Sequence, residues 1–218
     1  MTDSSPDARE NTHPDAQSRL AQAAAALFAE HGYDAISIDR IAAGVGASKG
    51  LFYHHYSAKA DVLADIVLAV REAMLAAAAA ALTGLDAEAS AVRRLEALAL
   101  GELNAAFEQP AAYRVAVHAD AILADARISE KHAARRDRAI EARQDLERLY
   151  QDAYRAGVRA GQFAPLPPRF AVWLIRLPVL AAADWNAGPE GARTSADRVA
   201  EAVARFAARG LTEPNEPA

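Results

Sequence analysis

Alanine fills 58 of the 218 positions and glycine only 11. Alanine is the strongest helix former and glycine one of the weakest, so a chain of this make-up is committed to helix before any pattern is read. The alanines supply about half of the 52% hydrophobic fraction. The length suits one large domain or two small ones, with enough chain to bury a core. The absence of cysteine excludes a disulfide framework, a thiolate metal site and a cysteine nucleophile. No run of about 18 strongly apolar residues stands out, so no membrane span is expected. The first residues, MTDSSPDARENTHPDAQ, are polar and acidic and read as neither a signal nor a transit peptide. These features describe a cytoplasmic, all-α protein with no cofactor.

The apolar spacing divides the chain into about nine helices. Residues 1–14 carry Pro6 and Pro14 and no apolar period, and read as a disordered tail. A helix runs from Asp15 to His31, with Leu20, Ala24, Leu27 and Phe28 on one face, and Gly32 suits the left-handed position after it. Ser37 caps a short helix from Ile38 to about Ala43, Gly44-Val45-Gly46 breaks it, and Ser48 caps a second one from Lys49 to about His55. Ser57 is the nearest cap for a long helix from about Ala58 to Leu82. Later helices are expected from Asp86 or Ala87 to Glu108, Pro110 to Leu123, Ser129 to Ala160, and Pro168 to Trp185 with a kink at Pro178. Thr194 with Asp197 reads as a capping box for the last helix, ending at Gly210. Residues 15–60 and 61–211 form the two domains, and 212–218 a second disordered tail.

The informative segment is SIDRIAAGVGASKGLFYHHYSAK, Ser37 to Lys59. Two short helices joined by a glycine-containing turn form a helix-turn-helix. Its core is expected from Ile38, Ile41, Ala42, Val45, Phe52 and Tyr56. The second helix offers Ser48, Lys49, Gly50, Leu51, Tyr53 and His54, which is no core set. Ser48 and Lys49 at a helix N-terminus suit a phosphate. Gly50 leaves the backbone bare, Leu51 suits a thymine methyl in the major groove, and Tyr53 and His54 suit phosphate oxygens. The net charge of −5 does not oppose this. Residues 1–60 hold seven acids and five bases, but Gly44 to Ala60 holds Lys49, Lys59 and two histidines with no acid.

This segment resembles the DNA-binding domain of TetR-family transcriptional regulators. The resemblance rests on Phe28, Gly32-Tyr33, Ile41-Ala42, Ser48-Lys49-Gly50 and Tyr53-His54 at fixed spacing, and spans about Gln17 to Val70. It implies contacts to an operator duplex that include Ser37 and Lys59 beside the residues above. It also implies a homodimer on a near-palindromic operator, repression by blockage, and release by a small-molecule inducer, apolar or a CoA thioester. The family pairs its last two helices with those of a second copy. Here those are Arg169 to Trp185 and Ser195 to Arg209, giving Phe170, Trp173, Leu174, Val179, Leu180, Val199, Val203 and Phe206 as the dimer face. The first of them is apolar nearly all round, which independently asks for burial on two sides.

The inducer pocket is expected from Phe107, Tyr113, His118, Tyr150, Tyr154, Trp173, Arg176 and Leu177. Arg176 stands mid-helix among apolar residues, where a charge needs a partner; a ligand anion, Asp184 or Glu102 would serve. His118 reads as a core or pocket-wall residue. The group His118, Asp120, Asp125 has poor metal spacing, so no metal is expected. The run EKHAARRDRAIEARQDLER reads as a solvated helix face, with a basic patch at Arg135, Arg136 and Arg138 as the alternative. Two rival functions remain open: an activator of the same family, and a helical enzyme or carrier whose helix-turn-helix is incidental.

Overall fold

A computed structural model describes residues 14–186, 188 and 190–212. The stretches 1–13 and 213–218, which hold nearly all of the two tails read as disordered, lie outside these residues, as does Pro189. The described residues form nine α-helices and no strand: α1 (Pro14–His31), α2 (Ile38–Gly44), α3 (Lys49–His55), α4 (Lys59–Thr83), α5 (Ala91–Glu108), α6 (Pro110–Asp125), α7 (Glu130–Arg159), α8 (Pro168–Asn186) and α9 (Ala196–Arg209). A single 3-10 turn, Gly191–Arg193, precedes α9.

Local chemistry sets the helix starts. Ser37 Oγ accepts from the Arg40 N–H at 3.2 Å, and Ser48 Oγ accepts from the Leu51 N–H at 3.3 Å, so α2 and α3 begin where their caps place them. Three starts differ from the sequence reading. Helix α5 begins behind Ser90, whose Oγ accepts from the Arg93 N–H at 3.3 Å, while Asp86 to Ala89 close a turn instead. At α4 the cap position is Ala58, not Ser57. Ala58 offers no side-chain oxygen to the first turn; the entry is held instead by Asp61, which accepts from the N–H groups of Ser57 (2.9 Å) and Ala58 (3.0 Å). At α9 the cap position is Ser195, and Thr194 instead donates its hydroxyl to the Glu190 carbonyl at 3.2 Å. Helix α8 continues across Pro178.

Alanine decides the packing as well as the helices. Helix α4 is the central strut, packed most extensively against α5 and α7 and also against α1 and α6. Ala64, Ala78, Ala99, Ala106, Ala116 and Ala119 are buried where these helices cross, and small side chains let the axes approach. At Gly101 a Cβ would lie 2.6 Å from the Ala77 carbonyl oxygen of α4. Backbone meets backbone there, and no larger residue fits.

By length and composition α4 is apolar enough to cross a membrane, a point the sequence reading missed. In the fold it carries buried Asp61, Asp65 and Arg71, each bonded to other elements. The first three helices form their own small core of Leu20, Phe28, Ile36, Ile41 and Phe52, continuous with the rest through Tyr56 and Leu63.

Candidate nucleic-acid interface and ligand groove

Helices α2 and α3 meet through a tight turn in which Gly46 takes φ +68°, a conformation L side chains rarely adopt. The Ala47 N–H reaches back to the Ala42 carbonyl at 2.9 Å and closes the turn. Phe52 and Tyr56 are fully buried and fix the rotation of α3, while Ile41 and Ala42 do the same for α2. Ile38 and Val45 are half-buried. That rotation turns Ser48, Lys49, Gly50, Tyr53 and His54 outward, with Leu51 half-buried between them. Tyr53 is 49% exposed, far more than a phenol ring needs for its hydroxyl alone. A Cβ built on Gly50 would meet only Ser48 Oγ, at 3.5 Å. Packing within the chain therefore does not demand glycine there.

The cations near this face differ in what they hold. Lys49 Nζ lies 3.0 Å from Asp39 Oδ2, and both side chains are exposed. Such a pair is held weakly and yields readily to a phosphate. Lys59 does not stand free, against expectation. Its ammonium donates to the carbonyls of Tyr33 (2.6 Å) and Ile36 (2.9 Å) and lies 4.2 Å from the Tyr33 ring centre. Burial lowers its pKa below the ordinary lysine value. Lys59 staples the loop after α1 to α4, and its donors are spent within the fold. Ser37, likewise, caps α2.

Two carboxylates on α4 join this unit to the remaining helices, and neither stood out in the sequence. Asp61 is fully buried and accepts from the N–H and the hydroxyl of Ser129 at 2.9 and 3.0 Å, besides its two α4 cap bonds. The buried His132 ring places Nδ1 3.1 Å from the Ser129 hydroxyl and packs, tilted by 38°, against the Tyr56 ring at 5.5 Å between centres. Asp65 accepts from Tyr56 (3.0 Å), Gln17 (2.8 Å) and Arg135 (2.6 Å). Burial, with Asp65 beside it, raises the Tyr56 phenol above its ordinary pKa. Arg138 reaches Glu72 of α4. Arg135 and Arg138 thus tie α7 to α4, while Glu130, Lys131, Asp137, Glu141 and Arg148 of the same run stay exposed, as expected of a solvated helix face.

The expected pocket residues separate. A groove of about 780 Å³ lies between α4, α6, α7 and α8, and Tyr113, Trp173 and Arg176 line it. Tyr150 does not; it is fully buried and donates to Glu102 Oε2 at 3.0 Å. Tyr154 is buried and shares its hydroxyl with the carbonyl of Ala164 (2.6 Å) and the N–H of Leu166 (2.7 Å). Phe107 packs half-buried on the core. Leu177 is exposed on α8. His118 is exposed and lines a different groove, shared with Phe28 and Tyr33 of the N-terminal unit. Arg176 meets Glu102 in a two-pronged pair, Nη2 to Oε1 at 2.6 Å and Nε to Oε2 at 3.2 Å. Of the partners open to it, Glu102 is the one in place. Asp184 faces Arg114 instead, at 3.5 Å.

Sequence reasoning missed four arginines of this groove: Arg71, Arg143, Arg148 and Arg169. Arg71 gave the same signal as Arg176, a cation inside an apolar helix. Its guanidinium bonds the carbonyls of Ala139 and Ala116, both at 3.2 Å, and Asp120 at 2.7 Å. It thus clamps α4 to α6 and α7.

Helices α8 and α9 leave Phe170, Trp173, Leu177, Trp185 and Phe206 exposed by 39–69%. Leu174, Leu180, Val199 and Val203 are half-buried beside them. Val179, expected on the dimer face, is fully buried in the chain's own core and cannot reach a partner.

Residues 20–66 match the family described as bacterial regulatory proteins, tetR family. Residues 89–211, more than half of the chain, match the tetracyclin repressor-like C-terminal domain. The chain belongs to the TetR family. The N-terminal match is the family's DNA-binding helix-turn-helix, and the C-terminal match its ligand-binding domain. TetR-family regulators bind DNA, dimerise and bind small molecules, and are in general not enzymes. Among solved structures, a tetR-family regulatory protein from Rhodococcus RHA1 is 24% identical with a TM-score of 0.74, covering 92% of this chain and 98% of that one. The regulator PfmR from Thermus thermophilus is 25% identical with a TM-score of 0.69, covering 89% and 100%. The ketosteroid regulator KstR2 of Mycobacterium tuberculosis is 20% identical with a TM-score of 0.73, covering 93% and 97%. The search of curated proteins found no match.

Proposed function

We propose that this TetR-family protein is a ligand-responsive repressor that binds a near-palindromic operator as a homodimer and lets go when a small molecule fills its groove. The observation that carries the DNA reading is the outward face of α3. Ser48, Lys49, Gly50, Tyr53 and His54 are exposed together, and Gly50 is bare where packing would admit a side chain. Ser48 and Lys49 take one phosphate, Tyr53 and His54 another, and Leu51 touches a base edge. The reaction class is binding, and blockage of a promoter is its consequence.

The exposed aromatic side chains of α8 and α9 support the dimer, since monomers rarely expose large contiguous apolar patches. Helix α4 supports the release step. Arg71 at its middle lines the groove, and Asp61 and Asp65 at its start hold the N-terminal unit. A ligand that moves α4 moves both recognition helices, whose spacing must match one DNA turn.

The test is a band shift with duplexes flanking the protein's own gene, combined with the mass of the complex. Saturable binding by two chains per duplex supports the reading. Failure of every flanking duplex at low salt removes it.

A further inference from the structure

The groove carries more information than its place in the fold. Five arginines and two acids, Asp120 and Glu147, stand on its wall. Three of the arginines are committed: Arg71 to Asp120, Arg143 to Glu147 and Arg176 to Glu102. Arg148 meets only Asp145 of its own helix, and Arg169 has no ion pair among the described residues. Both are exposed at the rim. Among these charged residues the groove also presents the apolar side chains of Val117, Val172 and Leu180.

At the inner end stands Tyr113. It is 1% exposed, and its hydroxyl has no hydrogen-bond partner among the described residues. Buried hydroxyls are normally paired, and one that is not calls for an occupant. Burial also raises its pKa, so it stays a donor.

We propose that the groove takes an amphipathic anion, with its charge between Arg148 and Arg169, its apolar body along Val117, Val172 and Leu180, and a second, uncharged oxygen on the Tyr113 hydroxyl. This rests on the reading of the groove as the effector site and names the chemistry that site selects. The volume of about 780 Å³ suits one small amphiphile.

The full-length protein is titrated calorimetrically with decanoate, 1-decanol and 10-hydroxydecanoate. Decanoate binds more tightly than decanol, and Arg148→Gln with Arg169→Gln removes about tenfold of that preference. The terminal hydroxyl of 10-hydroxydecanoate adds affinity that disappears in Tyr113→Phe, while the melting temperature of that variant without ligand does not fall. Equal binding of decanol and decanoate, or a preference that survives the double arginine variant, overturns the anionic assignment. A hydroxyl advantage that is absent, or unchanged in Tyr113→Phe, overturns the inner anchor. Operator release is read in parallel. Decanol binding that releases DNA keeps the effector reading and sinks the anion. Decanoate binding without release keeps the anion and sinks the effector reading.

Discussion

Asp61 and Ser129 join the starts of α4 and α7: one carboxylate takes the Ser129 N–H at 2.9 Å and its hydroxyl at 3.0 Å. The same group takes two further N–H donors from the loop before α4. Asp61→Ala leaves four partly buried donors without their acceptor. A loss of about 2–4 kcal/mol in urea unfolding is expected. Asp61→Asn retains one acceptor oxygen and should lose less.

The Glu102–Arg176 pair lies inside the C-terminal domain, with Glu102 fully buried. Arg176→Met strands the carboxylate and should cost about 3–5 kcal/mol. Glu102→Gln added to it removes the charge and still accepts from Tyr150. The double variant should therefore recover part of the loss. A double variant no more stable than Arg176→Met would show that the stranded charge is not what destabilises.

Lys59 is expected to act on stability and not on DNA. Lys59→Met removes the ammonium from the carbonyls of Tyr33 and Ile36, at a cost of about 1–2 kcal/mol. The salt dependence of DNA binding should be unchanged. A shallower salt dependence would return Lys59 to the phosphate contacts.

Trp173 and Phe206 are 54% and 69% exposed, so their replacement by serine opens no cavity in the chain itself. Circular dichroism should be unchanged. Sedimentation is expected to show dimers for the native protein and monomers for the double variant; dimers in both would place the interface elsewhere.

The helices and the recognition motif were legible because local rules set them. Alanine propensity, the Ser37 and Ser48 caps and the glycine turn all act within a few residues. What was not legible depends on distance in sequence. Asp61 meets Ser129 across 68 positions, and nothing near either residue marks the other. Val179 and Trp173 sit on the same apolar helix, yet one is buried and the other is not. Periodicity finds an apolar helix but does not say which side meets its own core. The acceptors of Lys59 were invisible for the same reason: a loop 23 residues earlier supplies one of them.

The central claim is that α3 holds DNA through Lys49 and its neighbours. The most direct test is the operator affinity of the native protein and of Lys49→Ala, measured across a range of salt concentrations. With one phosphate contact per chain and two chains per duplex, the variant should bind more weakly and lower the magnitude of the salt slope by about 2. An unchanged affinity and slope would contradict the placement of α3 against the DNA backbone.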